Sequence, residues 1–360
     1  MRRPPTVHGL WVLALGLVAA MPLRAENLRI ATYDVDLSYS APGMVLDRLT
    51  HGRGDGIKAT VQVIAALDAD ILLLTGIDYD AANATVDALA ALVRAAGVDY
   101  PYRLALRPNS GVNSGLDLNG DGALNSPEDA LAWGRFPGNG GMAILSRHPI
   151  DRDGLRDLTG FRWADLPGHL MPEFFAKIAP DLPLSTGGHW IVPIALPEGR
   201  QVQLLAYAAT APIFDDGRDL NGRRNHDEAA LWRHLLDGTL PGQSPPTGSF
   251  VILGKSNLDP MDGDGRREAL RGLLTHPKLQ DPEPAGPARH RDQGHRGDAG
   301  IDTAFFDRAG GLRVDLILPS RDLTVTGAGA MWLPATDLLE AALAQASRHR
   351  PVWVDIETGG

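Results

Sequence analysis

The apolar run Val251-Ile252-Leu253 stops at Gly254 and releases Lys255, Asn257 and Asp259-Pro260 in quick succession. A short β-branched run followed by turn residues reads as a buried strand, and function is expected where such a strand ends. An ammonium and a carboxamide are pure or partial hydrogen-bond donors, so this strand end is suited to an anion rather than to a metal cation. A second chemical pattern lies earlier. Asp117, Asn119, Asp121, Gly122, Ala123 and Glu128 fit the twelve-residue calcium loop of EF-hands: alternating side-chain oxygens, a glycine at the sharp turn, a main-chain carbonyl from Ala123 and a closing bidentate glutamate. Its flanks differ from that motif, because 107–115 has no helical pattern and Pro127 adjoins the last ligand, so an isolated Ca2+ loop or an ion-free Asx-turn loop fits the residues. Asp259, Asp262 and Asp264 read as a turn and helix cap ahead of 266–274, and Asp219, Asn221, Asn225 and Asp227 read in the same way. His290 and His295 lie in a Pro/Gly-rich stretch and read as solvent-facing.

The elements that position these groups alternate early between strand and helix. Leu28 to Val35 reads as a strand, Ile57 to Leu67 as a helix, Ile71 to Thr75 as a buried strand and Ala82 to Ala96 as a second helix. Strands then follow without long helices, at 102–106, 141–146, 189–196 and 202–209. A helix at 225–236, the strand at 250–254 and a helix at 266–274 precede a long loop over 281–300, after which strands resume at 312–318, 323–328 and 352–356. Trp190, Trp332 and Trp353 fall in strand patterns, where core packing is the expectation. Many strands with apolar faces and few helices imply two sheets packed face to face.

Composition narrows the setting. Met1-Arg2-Arg3, the apolar run from Gly9 to Leu23 and Ala25 make a secretory leader over 1–25, with the mature chain, a single domain over 26–360, starting at Glu26 in a secreted or periplasmic compartment. The run is shorter than the roughly 20 residues that span a bilayer, so no transmembrane segment is expected in the mature chain. Losing Arg2, Arg3 and Arg24 with no acid takes the formal charge from -10 to -13. Such a field disfavours strong non-specific nucleic-acid binding. The chain has no cysteine, which excludes disulfides and thiolate metal sites.

In order and spacing, six segments resemble the endonuclease/exonuclease/phosphatase superfamily, whose fold is a four-layer αββα sandwich of two mixed sheets flanked by helices. They are Arg29-Ile30-Ala31-Thr32-Tyr33, Asp70-Ile71-Leu72-Leu73-Leu74, Gly140-Gly141-Met142-Ala143-Ile144-Leu145-Ser146-Arg147, Val251-Ile252-Leu253-Gly254, Arg313-Val314-Asp315 and Ser347-Arg348-His349-Arg350-Pro351. The loop at 107–111 and the segment 221–228 resemble secreted bacterial members. The resemblance implies a divalent ion, usually Mg2+, held by carboxylates, with histidine and aspartate moving protons. Mapped residue by residue, the implied positions are altered. Asp34 stands for an asparagine, Gly76 for the metal-binding glutamate, Ala208 for the catalytic histidine, Lys255 for an aspartate beside the retained Asn257, and Arg348 for an aspartate beside the retained His349. His189 and Asp315 match the pattern.

Gly76 removes an anionic ligand, and Lys255 and Arg348 bring positive charge to the expected cation position. A like-charge contact at ~4 Å costs about 4 kcal/mol at an effective dielectric of 20, and a divalent ion doubles it. The expectation is a degenerate hydrolase that does not bind Mg2+ there. Three further readings stand beside it: a divergent active phosphodiesterase, phosphatase or nuclease whose metal is held by Asp34, Asp78 and Asp315; a module in which Lys255, Asn257, Arg348 and His349 hold a phosphate-containing small molecule; and a calcium-stabilised structural protein. A different outcome for the cations is pairing with Asp34 or Asp315, which would simply neutralise the pocket.

Overall fold

Strands that are apolar on both faces require a layer on each side, and most strands here are of that kind. The computed structural model describes residues 27–214, 217–287 and 294–357. The leader expected at 1–25, its junction at Glu26, and His290 lie outside the described residues. In chain order the elements are β1 (Asn27–Leu37), α1 (Met44–Thr50), α2 (Asp55–Leu67), β2 (Ile71–Ile77), α3 (Ala84–Ala95), β3 (Tyr102–Leu104), β4 (Gly141–Ser146), β5 (Arg156–Asp157), α4 (Glu173–Ile178), β6 (Gly188–Ala195), β7 (Gln201–Ala208) and α5 (Leu220–Asp237). They continue with β8 (Phe250–Lys255), α6 (Glu268–Leu274), β9 (Ala304–Phe306), β10 (Gly310–Leu312), β11 (Asp315–Pro319), β12 (Val325–Ala330), α7 (Leu338–Ala346) and β13 (Val352–Glu357).

One sheet runs β12-β13-β1-β2-β4-β3 and the other β11-β8-β7-β6-β5, with β9 and β10 as a separate ribbon. Both sheets are mixed: β1 is parallel to β2 and antiparallel to β13, and β8 is parallel to β7 and antiparallel to β11. Alternation along each strand divides its side chains between two cores. Leu28, Ile30, Leu73 and Ile144 meet Trp190, Val192, Leu204, Leu253 and Ile317 between the sheets. On the outer face of the first sheet Tyr33, Leu72 and Leu74 pack on Val63, Leu89 and Leu343 of α2, α3 and α7. On the outer face of the second, Leu205, Tyr207 and Ile252 pack on Phe175, Trp232, Leu235 and Leu270 of α4, α5 and α6. The expected αββα sandwich is therefore present. Among the described residues no helix is long and apolar enough to cross a membrane.

Several boundaries differ from the periodicity. The helices α1, α4 and α7 and the strands β5, β9 and β10 fall outside the expected elements, and the three strands, of two or three residues, are too short to impose a period. The polar first turn of α5, Leu220-Asn221-Gly222-Arg223-Arg224, hides its start. The single strand expected over 312–318 is broken at Arg313 and Val314, whose amides donate to the Asp259 carboxylate at 2.6 Å and to Thr303 Oγ1 at 3.0 Å instead of a neighbouring strand. Trp332 follows β12 rather than lying in a strand, with Nε1 donating to the Asp302 carbonyl at 2.7 Å. The segment expected as one long loop from 281 begins at a fixed point, because Asp281 accepts both guanidinium ends of Arg313 at 2.8 and 2.5 Å. The Arg313 side chain is 4% exposed. Removing one partner of a buried pair strands the other charge, so Asp281→Ala is expected to cost about 3–5 kcal/mol of unfolding free energy in urea titrations. A change within a few tenths of a kcal/mol would mean that water reaches the guanidinium.

Candidate functional site

Pairing registers bring the chemical residues to one end of the sandwich. Asp34 of β1 faces Thr75 of β2, Lys255 of β8 faces both Asp315 of β11 and Ala208 of β7, and Ala208 faces Gly188 of β6. His349 joins from the turn between α7 and β13, bridged to Ala304 of β9. At their centre Lys255 Nζ lies 2.5 Å from Asp34 Oδ2. Thr75 Oγ1 donates to the same oxygen at 3.0 Å, and the Asp36 amide to Oδ1 at 3.2 Å. A second pair stands beside it, His349 Nδ1 to Asp315 Oδ2 at 2.7 Å, with Thr303 Oγ1 donating to that oxygen at 2.9 Å. Asp315 Oδ1 is sealed from solvent with no partner.

The charges support one another. Burial alone would raise the Asp34 carboxyl, but the charges of Lys255 and His349 and the bonds from Lys255 and Thr75 hold it well below the usual carboxylate range. Burial would lower Lys255, and Asp34 and Asp315 reverse that and raise it. For His349, too, burial lowers and the carboxylates of Asp315 and Asp34 prevail, raising it above the ordinary imidazole value. Two carboxylates thus stand against one ammonium and, when His349 is protonated, one imidazolium.

At Gly76 the backbone and the Asp34 carboxylate leave no room for a side chain. This glycine follows Thr75 where the β1–β2 register shifts, with φ 68°, and a Cβ placed on it would lie 2.7 Å from Asp34 Oδ1. The Asp34 carboxylate occupies the room that a side chain at this position needs. Gly254 is fixed for a different reason: its Cβ would meet the Tyr207 carbonyl oxygen at 1.9 Å, so only glycine lets β8 lie against β7 here.

The expected anion cradle of Lys255, Asn257, Arg348 and His349 is not assembled, which corrects that reading. Lys255 and His349 are engaged with carboxylates. Asn257, at φ 52°, donates its side-chain amide to the Ala209 carbonyl at 2.6 Å and so locks the loop rather than facing a ligand. Arg348 is exposed and makes no ion pair with a described residue, so it adds no charge to the network. The residues of the alternative metal set, Asp34, Asp78 and Asp315, are engaged within the protein, apart from Asp315 Oδ1. Asp34 is paired, and both Asp78 oxygens are filled by Ser38 Oγ, the Tyr39 and Gly140 amides and Asn139 Nδ2. Asp80 caps the start of α3 through the amides of Ala82, Ala84 and Thr85. His189 does not reach the site either. Ala208 faces the inter-sheet core, so its neighbour Tyr207 and the cross-strand His189 face α5, where His189 packs on Trp232 and bonds Ser185 Oγ at 2.6 Å and the Glu228 carbonyl at 2.9 Å. Burial lowers its imidazole to about 4, against the pull of that carbonyl.

The loop at 117–128 spends its oxygens locally. Asp117 accepts from the amides of Gly120, Asp121 and Gly122, Asn119 from Asp121, and Asp121 from Ala123, while Glu128 is exposed. The buried anchor is instead Asp129, which accepts from Leu118 and Ser126. Among the described residues, no three His, Asp or Glu side chains are grouped so as to hold a metal ion. Asp259 makes the expected turn, accepting from Met261 and Asp262, but does not cap α6. His295 is buried between Asp262 and Asp302 at 3.8 Å from each, not solvent-facing. Thr75 and Thr303 complete the network without any sequence signal. Asn225 and Glu228 brace it from α5: Asn225 donates to the carbonyls of Thr210 and Ser256, and Glu228 accepts from the amides of Thr186 and Thr210.

A family model for the Endonuclease/Exonuclease/phosphatase family matches residues 50–349, most of the chain. The chain belongs to that family. Among solved structures, a family protein from Beutenbergia cavernae superposes with a TM-score of 0.53 at 18% identity, over 93% of this chain and 72% of the other. Family proteins from Bacteroides thetaiotaomicron and Bacteroides vulgatus each give a TM-score of 0.50 at 13% identity, covering 92% of this chain and 98% and 99% of theirs. These likenesses concern the family's fold. No curated protein matches the sequence.

The network fixes a pH dependence. The lowered Asp34 contributes stability that is full above its unfolded value of about 4 and is lost as pH falls through its folded value. The raised His349 contributes stability that is full below its unfolded value of about 6.5 and is lost as pH rises through its folded value. The difference in unfolding free energy between the wild type and His349→Gln is therefore expected to be flat between about pH 5 and pH 6, to shrink above about pH 7, and to shrink again in acid as Asp34, which His349 helps to hold ionised, takes up its proton. A difference flat across both limbs would mean that folding leaves the His349 pKa where the unfolded chain has it.

Proposed function

We propose that this chain is a non-hydrolytic member of the endonuclease/exonuclease/phosphatase family, whose site is closed by an internal ion pair where the resemblance implies a divalent metal. The observation that carries this reading is the 2.5 Å contact between Lys255 and Asp34. A metal at that position would have to displace or sit beside the ammonium, at a Coulombic cost of several kcal/mol at any plausible dielectric (about 8 kcal/mol for a divalent ion at ~4 Å and a dielectric of 20). The position that would supply a proton-transfer histidine, worth roughly 10²- to 10⁴-fold in rate, is Ala208, beside Lys255 in the sheet. The purified chain is expected to leave bis-p-nitrophenyl phosphate and p-nitrophenyl phosphate uncleaved with Mg2+ or Mn2+, and Lys255→Asp alone is expected to remain inactive. Chelator-sensitive turnover by either protein would overturn the reading.

We further propose Ca2+ for the 117–128 loop, on the calcium-loop spacing of Asp117, Asn119, Asp121, Ala123 and Glu128, with the local hydrogen bonds of Asp117 giving way to the ion. Binding would require Glu128 to swing in, and saturation at a hundredfold excess over Kd would stabilise the fold by about 2.7 kcal/mol. Thermal melts with Ca2+ and with chelator are expected to differ, and Glu128→Gln to erase the difference. Identical melts would leave an ion-free Asx-turn loop.

A further inference from the structure

Glu228 of α5 is a carboxylate with no exposed surface and no ion pair to a described residue. Its oxygens accept one amide each, Oε1 from Thr186 in the segment entering β6 and Oε2 from Thr210 just after β7, both at 2.7 Å. One side chain thus clamps two segments at the end of the sheet where Ala208 lies beside Lys255. The clamp reaches further, because the Thr186 carbonyl accepts the amide of Asn109 at 3.1 Å and the Ser185 carbonyl accepts its side chain at 2.7 Å. A fully buried charge ordinarily has a countercharge in contact, since desolvation without one is costly.

No group facing Glu228 supplies that countercharge. Arg224, one turn earlier on α5, spends Nη1 on the Leu131 carbonyl at 2.9 Å and lies over the Trp163 ring. Asp227 is turned to His226, the Trp163 indole and the Leu170 amide. From β6, His189 sets its Nε2 on the backbone carbonyl of Glu228 and is held neutral by burial. From β7, Tyr207 is held protonated by burial, and Lys255 of β8 is taken by Asp34. Burial therefore pushes the Glu228 carboxyl up to about 7, against the bonds from Thr210 and Thr186 and the charge of Arg224. The Thr186 hydroxyl, which bears on the same carboxylate, is sealed from water with no hydrogen-bond partner. A protonated carboxyl needs an acceptor for its own hydrogen and keeps only one good acceptor oxygen. We propose that Glu228 is a proton-operated latch: with a proton on Oε1 it donates to the Thr186 hydroxyl and releases the Thr186 amide, so that the segment entering β6 and the Asn109 loop tied to it loosen, while Thr210 stays bound to Oε2. The latch is independent of whether the Lys255–Asp34 site hydrolyses anything, because it shares no residue with that network.

The test is amide-resolved hydrogen exchange on the whole chain, corrected for the intrinsic pH dependence of exchange, together with urea unfolding across the same pH range. Protection of the Thr186 amide is expected to fall about fivefold or more between about pH 8 and about pH 6, with Thr210 and the β2 amides unchanged. Glu228→Gln, which offers a single acceptor oxygen, is expected to show the low Thr186 protection at both pH values. Global stability moves the opposite way: a carboxyl raised from 4.5 to about 7 contributes stability that is full below the unfolded value and is lost as pH rises through the folded one. The wild type is therefore expected to gain stability relative to Glu228→Gln as pH falls from about 8 to about 5, while its Thr186 amide loosens. A carboxylate with a purely structural role would move neither reading. Should Glu228→Gln fail to fold, NMR titration of the wild-type Glu228 carboxyl carbon decides, with a midpoint near 7 shared by the Thr186 amide as the expected result. A midpoint below about 6, Thr186 protection that ignores pH, loss at Thr210 in its place, or the same pH response in folded Glu228→Gln would overturn the latch.

Discussion

The ammonium of Lys255 is the charge on which the end of this sandwich depends. It lies 2.5 Å from Asp34 with only a fifth of its side chain in water, so neither charge is stable there without the other. Desolvating a pair costs nearly what its attraction returns, and such pairs persist when further hydrogen bonds complete them. Here the hydroxyl of Thr75 and the amide of Asp36 do so for Asp34, and Thr303 does so for the adjoining His349–Asp315 pair. Removing either cation would leave a buried carboxylate uncompensated, at about 3–5 kcal/mol. The network therefore lets the two carboxylates lie close together without leaving either uncompensated.

Strand parity decides which side chains can join it. Ala208, facing inward, occupies the side of β7 that looks into the space between the sheets, while Tyr207 and the histidine across from it look outward into the helical layer. A one-residue difference therefore separates a position beside Lys255 from a core histidine held neutral by burial. The loops are fixed with similar economy. Asn257 accepts a left-handed backbone and ties the end of β8 to the end of β7, and Asp259 ties the same loop to Arg313 ahead of β11. The amide that the resemblance marks as catalytic is thus engaged in holding the frame.

The sheets were legible because β1, β2, β4, β6, β7, β8 and β13 are apolar runs bounded by turns, and the order of six short segments fixed their family. The helices α1, α4 and α7 were not, although α6, no longer than α1, was. At the site, the altered identities of Gly76, Ala208 and Lys255 could be read directly, and so could Asp34 as a partner for Lys255. Partner choice elsewhere could not. Arg348 and His349 are adjacent in sequence, yet the chain turns only the histidine inward, so the arginine's charge is spent in solvent. Thr75 and Thr303 are ordinary residues by sequence, and only the fold places their hydroxyls on carboxylates. Asp78 looks like a spare ligand until its four donors are counted.

Gly76 and Lys255 are coupled through the carboxylate between them. With Lys255 present, Asp34 is drawn to the ammonium, and its oxygens lie where the first carbon of a side chain at position 76 would go. With glycine at 76, the backbone takes φ 68°, a conformation that any L side chain resists. A glutamate introduced there would meet both obstacles at once: the collision with Asp34 and the left-handed backbone. A carboxylate introduced at 255 would meet Asp34 and Asp315 with only His349 to offset three anions, so they would repel. Each change alone thus passes through a less stable protein. Changes at the two positions are therefore not independent, because each alters the surroundings of the same Asp34 carboxylate.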